Sequence, residues 1–218
     1  MPAKRTEELT HWYFRLNGCL TIPNFVVHPE VGNDQRTDAD LLAVRFPHRR
    51  EQLMTALSDD DVFTEEAAKI QVFFVEVKSS RCSLNPSWTD PAKQTLNTIV
   101  RALGFVPENE ADKAAESIYA TSHYSNKTIL ARLVCIGATP GALGTRFTGV
   151  TQIVFEDILR FIHGRFCEHD SQKRSHDQWD DFGQYLYRVA TAHKLAPDAF
   201  SRLVLNELGV GRAANMTQ

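Results

Sequence analysis

Apolar runs along the chain predict a central sheet. Residues 39–46, 71–78 and 129–136 are short and apolar over most of their length, as buried strands usually are. Residues 20–28 are also apolar, but they contain Pro23, which has no backbone N–H to donate to a neighbouring strand. A break or an edge strand is therefore expected there.

Helical spacing of apolar residues fills most of the remaining chain. The predicted helices cover residues 6–17, 91–103, 109–121, 151–166, about 177–193 and 197–208. Thr6 is the expected N-cap of the first helix, and Gly18 and Gly104 are expected to end the first and the second. Residues 48–70 form a mostly polar insertion, in which we expect a short helix around residues 51–57.

Length and composition indicate one domain. The chain has 218 residues, of which 43% are hydrophobic and 23% charged, and these values are ordinary for a globular protein with one buried core. No repeat, low-complexity run or linker divides the chain. We therefore expect a single α/β domain over residues 1–218, with its core at about 6–137 and a helical C-terminal portion at about 151–210.

The same features bear on localisation and partners. No apolar run is long enough for a membrane span, and the first residues lack the apolar stretch of a secretion signal. The four cysteines lie far apart without a CxxC pair, which favours reduced thiols in the cytoplasm over a disulfide framework. The formal net charge of −3 leaves a nucleic-acid partner open, because a metal site brings its own carboxylates.

Charged residues interrupt two of the predicted strands. Glu76 and Lys78 stand in an otherwise apolar strand, and the two-residue period of a strand places both on the same face. Asp40 opens another apolar strand. Buried charges cost free energy unless they are paired or bind an ion. If the two strands are neighbours, Asp40, Glu76 and Lys78 converge.

Two adjacent carboxylates and a lysine indicate a metal site. The carboxylates of Asp40 and Glu76 would repel each other unless a cation lay between them, and Mg²⁺, with Mn²⁺ as a substitute, prefers such oxygen ligands. Lys78 would then hold the attacking water or a phosphate. Two alternatives stay open: Asp38 could replace Asp40 as the ligand, and Glu76 and Lys78 could form an ordinary ion pair.

The chain resembles the PD-(D/E)XK nuclease superfamily over about residues 6–137. The resemblance implies a restriction-endonuclease-like mixed central sheet flanked by helices, and Mg²⁺-dependent cleavage of DNA, or less often RNA. Asp40, Glu76 and Lys78 match the family's aspartate and Glu-x-Lys. Glu8 matches the acid of its first helix, and Gln94 a glutamine that completes the site in some members.

Two features differ from the family pattern. Ala39 stands where the family has a proline before the aspartate, and the insertion at 48–70 widens the spacing between Asp40 and Glu76. A homodimer would be required for concerted double-strand cleavage, and the sequence leaves the oligomeric state open.

Other residues have two interpretations each. Arg49 and Arg81 are candidates for phosphate contact, although a solvated surface is the commoner role. Arg45 suits either an ion pair or a substrate contact, and Trp88 suits either packing or stacking on a base. The alternative to a nuclease is a catalytically inactive nucleic-acid-binding or assembly module with the same fold. An enzyme of other chemistry, in which these charges form a structural network, is a third reading.

Overall fold

A six-stranded mixed sheet with helices on both faces forms the centre of the structure. The computed structural model describes residues 2–27, 37–49, 51 and 57–210, with side chains for all of these except residues 2–4, 27, 37, 38 and 146. The strands are β1 (Leu20–Val27), β2 (Thr37–Arg45), β3 (Ile70–Val77), β4 (His123–Ser125), β5 (Ile129–Gly137) and β6 (Thr151–Val154). The expected mixed sheet is thus present.

Helices occupy the connections and the C-terminal part of the chain. They are α1 (Pro2–Leu16), α2 (Asp61–Thr64), α3 (Pro86–Thr89), α4 (Thr95–Leu103), α5 (Glu108–Thr121), α6 (Phe155–Glu168), α7 (Asp170–Lys173), α8 (Asp181–Ala192) and α9 (Pro197–Leu208). In the described part of the chain, no helix has the length and apolarity to cross a membrane.

The strand order is β1-β2-β3-β5-β4, with β6 also paired to β5. β1, β2 and β3 form an antiparallel meander, whereas β5 runs parallel to β3. β1 is an edge strand, as Pro23 predicts. The meander followed by a parallel neighbour brings β2 and β3, which carry the charged residues, side by side.

Alternating side chains of the strands build two separate cores. On one face, Phe73 and Val75 pack with α1, α6, α8 and α9. On the other face, Val72 and Phe74 pack with α4 and α5. Because side chains of a strand alternate between faces, Glu76 belongs to the α4–α5 face.

The prediction of a helix over residues 151–166 is wrong at its start. Thr151–Val154 form β6, and α6 begins only at Phe155. β4 pairs with β5 from Leu130 to Arg132, so the second half of β5 would lack a partner on that side without β6. Pairing those backbone groups outweighs a four-residue helical pattern, since buried backbone N–H and C=O groups require partners.

The predicted helix over residues 91–103 is divided. A short 3₁₀ turn at Pro91–Lys93 ends at Gln94, whose φ of 56° is left-handed, and α4 begins at Thr95. The Tyr119 hydroxyl of α5 accepts a hydrogen bond from the Leu96 N–H at 3.0 Å. This contact anchors the start of α4 to α5. Gly104 ends α4, as predicted.

Two smaller expectations in the N-terminal half also differ from the structure. Thr6 lies within α1 rather than capping it, because the helix begins at Pro2. Within the insertion, the structure has α2 at Asp61–Thr64, whereas most of the helix expected around residues 51–57 lies outside the described residues.

Close packing between α1 and α8 depends on Gly183. A Cβ placed at Gly183 would lie 1.8 Å from Cζ2 of Trp12. The Trp12 indole is only 1% exposed, and its Nε1 donates to Oδ1 of Asp180 at 3.1 Å. Asp180 also caps α8 by accepting from the Gly183 N–H at 2.7 Å, so both the ring and the helix start are fixed.

We expect Gly183→Ala to destabilise the protein by about 1–3 kcal/mol, because the added methyl overpacks a fixed ring. Gly164→Ala is the matched control. A Cβ at Gly164, within α6, meets nothing within 4 Å, so that change should stabilise by up to about 1 kcal/mol through helix propensity. Thermal unfolding of both variants checks this, and equal stability changes would contradict it.

Candidate active site

Asp40 lies where β2 separates from β3. The β2–β3 ladder ends at the pair Leu41–Val75, whereas β2 continues to pair with β1 as far as Thr37. Beyond the ladder, the Val77 N–H donates to Oδ2 of Asp40 at 2.7 Å. The carboxylate thereby satisfies a backbone group at the point where the strands diverge.

Glu76 lies beside Asp40 and is buried. It is 2% exposed, and its cross-strand neighbour on β5 is the buried Cys135. Burial raises the pKa of Glu76, the negative charge of Asp40 raises it further, and hydrogen bonds from Lys78 and Trp88 oppose both effects. The direction of the shift means that the protein around Glu76 compensates its charge less well than water would.

Lys78 follows β3 and turns its ammonium group back toward Glu76. Its backbone N–H donates to the Ile136 carbonyl at 2.8 Å, which extends the register with β5 by one residue. Its Nζ donates to Oε1 of Glu76 and to Oδ1 of Asn85 at 2.9 Å. The structure therefore brings together the three residues that the sequence pattern selects: Asp40, Glu76 and Lys78.

Trp88 and Asn85 complete the surroundings of Glu76 and Lys78, and sequence reasoning missed both roles. Nε1 of Trp88 donates to Oε2 of Glu76 at 2.6 Å. The pair Asn85-Pro86 is a sequence signal for the start of a helix, since Pro favours the first helical position. The direction of the Trp88 indole cannot be predicted from sequence, because it depends on how α3 packs against the sheet.

Glu8 lies on the α1 side of the sheet, away from Glu76. It lines a cavity of about 660 Å³ together with Trp12 and Asn24. Asn24 lies opposite Asp40, between the pairs Pro23–Leu41 and Phe25–Ala39 of the β1–β2 ladder, so this cavity reaches the same end of the sheet from its other face. The structure does not group Glu8 with Asp40 and Glu76.

Gln94 and Arg81 occupy the loops that follow Lys78. The Gln94 side-chain amide donates to the Pro91 carbonyl at 3.0 Å. This hydrogen bond joins residues of the same turn and does not reach Glu76. Arg81 is exposed and forms an isolated parallel bridge with Thr139, just beyond the end of β5. Arg81 is thus exposed at the Glu76 end of the sheet.

Arg49 is at the opposite end of the sheet. It lies four residues after the end of β2, and it pairs with Glu51 at 2.5 Å and with Asp59 at 3.2 Å. Arg45 also pairs with Asp59, at 2.5 Å, which favours the ion-pair interpretation of Arg45. Since Asp40 and Arg45 are five residues apart on one strand, roughly 17 Å separates them. Arg49 is not brought to the candidate site.

The carboxylates present suit a cation that takes few protein ligands. In the part of the chain that the structure describes, no group of three or more His, Cys, Asp or Glu side chains is arranged to hold a metal ion. The Asp38 side chain lies outside the described residues. Mg²⁺ commonly binds one or two carboxylates and keeps several waters. Asp40 and Glu76, with two negative charges beside one lysine, fit that requirement.

No family model, curated protein or solved structure matches this chain. The site comprises two neighbouring carboxylates, a lysine that donates to one of them, and an indole that donates to the same carboxylate. Such a group can bind a cation and hold a water or an anionic oxygen beside it.

The raised pKa of Glu76 predicts a specific pH dependence of stability without metal. Below the ordinary glutamate pKa of about 4.3 the residue is protonated in both folded and unfolded states. As pH rises from there through the folded-state pKa, wild type loses stability, because the folded state holds the proton more tightly. Glu76→Gln should therefore match wild type in acid and exceed its stability at neutral pH.

Chemical denaturation in chelator at both pH values measures this difference. Glu116→Gln, which removes an exposed carboxylate of α5, controls for the loss of a negative charge. A wild type that is more stable than Glu76→Gln at neutral pH would show that Lys78 and Trp88 outweigh the burial of Glu76.

Proposed function

We propose that this protein is a divalent-metal-dependent nuclease that hydrolyses nucleic-acid phosphodiesters, DNA in preference to RNA. The observation that carries the proposal is the convergence of Asp40, Glu76 and Lys78 where β2 leaves β3. The resemblance to the PD-(D/E)XK superfamily and its restriction-endonuclease-like fold is supported by the order of elements: α1, the antiparallel strands β1 to β3, the helices α3 to α5, the short β4, and then β5 parallel to β3.

Asp40 and Glu76 would hold Mg²⁺, or Mn²⁺ in its place. When bound, the ion would activate water and offset the charge that develops on the phosphate. The Asp40 carboxylate is held by the Val77 N–H, and Glu76 by Lys78 and Trp88. Both oxygen ligands are thus oriented before a cation or a substrate arrives, which lowers the cost of binding.

Lys78 would position the attacking water or a non-bridging phosphate oxygen. An ammonium group has three N–H donors, and in the described structure two of them go to Glu76 and Asn85. The third is available for an oxygen of water or substrate. Arg81, exposed at the same end of the sheet, is placed to contact a neighbouring phosphate.

One observation favours a second candidate, the catalytically inactive nucleic-acid-binding or assembly module. Both oxygens of Glu76 accept hydrogen bonds from protein donors, Lys78 and Trp88, as they would in a purely structural network. The two functions differ in what removal of Lys78 does. Its removal should lower stability under either function, because the buried Glu76 loses a donor, but only an active site would also lose reaction rate.

We expect Lys78→Ala to lower cleavage by about 10²–10⁴-fold, as the loss of a proton-transfer or positioning group does. Lys69→Ala is the matched control. Lys69 immediately precedes β3 at its other end, pairs with Glu66 at 2.6 Å, and is 22% exposed against 25% for Lys78. Its removal should leave cleavage near the wild-type rate.

The measurement is cleavage of single- and double-stranded DNA and RNA with Mg²⁺, with Mn²⁺ and with chelator. Wild-type activity in chelator would contradict metal dependence. No cleavage of any substrate by wild type, together with lowered stability of Lys78→Ala, would favour the inactive module.

Metal binding should also appear as a change in stability. At a concentration a hundred times Kd, a bound ion stabilises the folded state by about 2.7 kcal/mol, which is about 5–10 °C in Tm for a domain of this size. Asp40→Asn keeps an oxygen for the Val77 N–H but removes one charge, so its Tm should rise less with Mn²⁺. Equal shifts in the two proteins would exclude Asp40 as a ligand.

A further inference from the structure

A single short segment contacts both charged residues of the Glu-x-Lys pair. Asn85 precedes α3, and Trp88 lies within it. Oδ1 of Asn85 accepts from Nζ of Lys78 at 2.9 Å, while Nε1 of Trp88 donates to Oε2 of Glu76 at 2.6 Å. The segment therefore contacts the carboxylate and the ammonium group separately, through two side chains three residues apart.

The segment is fixed by its own packing. Trp88 is 1% exposed, and its ring lies 6.3 Å from that of Phe74 on the same face of β3 as Glu76. The backbone N–H of Trp88 donates to the Asn85 carbonyl at 3.0 Å, and the backbone N–H of Asp90 donates to the Pro86 carbonyl at 2.9 Å. Together with the ring packing, these hydrogen bonds fix the position of the Trp88 indole N–H relative to the Asn85 amide oxygen.

We propose that Trp88 and Asn85 are positioning residues of the active site, Trp88 orienting Glu76 for the metal ion and Asn85 orienting Lys78 for the substrate. This inference rests on the proposed nuclease function and assigns separate parts of it to two residues. Trp88 acts on metal affinity through Glu76, and Asn85 acts on the reaction rate through Lys78.

The chemistry of an indole suits the role given to Trp88. Its N–H only donates, so Oε2 of Glu76 stays an acceptor, and the ring anchors the donor by apolar burial. Without that N–H, Oε2 would lose a partner in a buried environment and the flexible glutamate would be less ordered. Removal of such supporting groups around metal ligands typically costs about 10–100-fold in affinity.

Asn85 suits a different task. Its amide oxygen is neutral, so it directs the Lys78 ammonium group without cancelling its charge. Glu76 and Asn85 together fix two of the three N–H directions of Lys78, which determines where the third points. Loss of Asn85 should therefore leave the metal ligands in place and disturb only the group that contacts water or phosphate.

Trp88→Phe tests the first role, with Trp12→Phe as its matched control. Both indoles are 1% exposed, and both donate to a carboxylate, Glu76 or Asp180, but Trp12 lies on the opposite face of the sheet. We expect both variants to lose stability. Only Trp88→Phe should weaken Mn²⁺ binding, by about 10–100-fold in calorimetry.

The outcomes separate this inference from the proposed function. Wild type that binds Mn²⁺, with an unchanged or tighter Kd in Trp88→Phe, overturns the role of Trp88 alone. Equal weakening in Trp12→Phe overturns it too, since general destabilisation would then explain the loss. No Mn²⁺ binding by wild type overturns the proposed metal site and the role of Trp88 together.

A second measurement covers the case in which Trp88→Phe does not fold. The chain has three tryptophans, so Trp12→Phe with Trp179→Phe leaves Trp88 as the only indole. Paramagnetic Mn²⁺ should quench its emission, and Glu76→Gln in that background should abolish the quenching. Emission unaffected by Mn²⁺ at concentrations that bind the protein would overturn the contact between Trp88 and a metal-binding Glu76.

Asn85 is tested by rate. Asn85→Ala should lower the single-turnover rate at saturating Mn²⁺ and leave the Mn²⁺ Kd near that of wild type. Asn85→Gln, which keeps a neutral amide oxygen, should restore part of the rate. A lowered Mn²⁺ affinity in Asn85→Ala, or no rescue by Asn85→Gln, would show that Asn85 acts through the fold rather than through Lys78.

Discussion

The burial of Glu76 constrains everything around the candidate site. A carboxylate that is 2% exposed requires donors, because an unpaired buried charge costs several kcal/mol. Lys78, directly after the same strand, supplies one, and Trp88 in α3 supplies another. α3 must therefore pack close to the end of β3. The segment that follows Lys78 therefore covers Glu76 through Asn85 and α3.

The two ends of β2 use charge in opposite ways. At one end, Arg45, Arg49 and Arg165 all contact Asp59, so a single buried carboxylate has an excess of cationic partners. At the other end, Asp40 accepts from the Val77 N–H, and Glu76 accepts from Lys78 and Trp88. The arrangement at Asp59 ties the end of β2 to α6. At Glu76, burial and the negative charge of Asp40 raise the pKa, so a cation would be a chemically reasonable ligand there.

Sequence patterns predicted the parts of the fold that depend on local chemistry. β2, β3 and β5 were evident as apolar runs, and the period of a strand placed Glu76 and Lys78 on one face. β6 was misread as the start of a helix because its partner, the second half of β5, is distant in sequence. Arg49 was misplaced for the same reason, since a basic residue does not reveal that Asp59 is its partner. The hydrogen bond from the Trp88 indole to Glu76 could not be predicted for the same reason.

The balance of forces at Glu76 links stability to the proposed function. If Lys78 and Trp88 compensated its charge completely, an incoming cation would gain little, and the site would be only a structural network. The pKa of Glu76 is instead raised, mainly by burial and also by the negative charge of Asp40, so the two donors do not compensate its charge completely. The Val77 N–H holds the Asp40 carboxylate in place. Both carboxylates are thus held in place by hydrogen bonds, and the proposed divalent cation would offset the negative charge that they bring together.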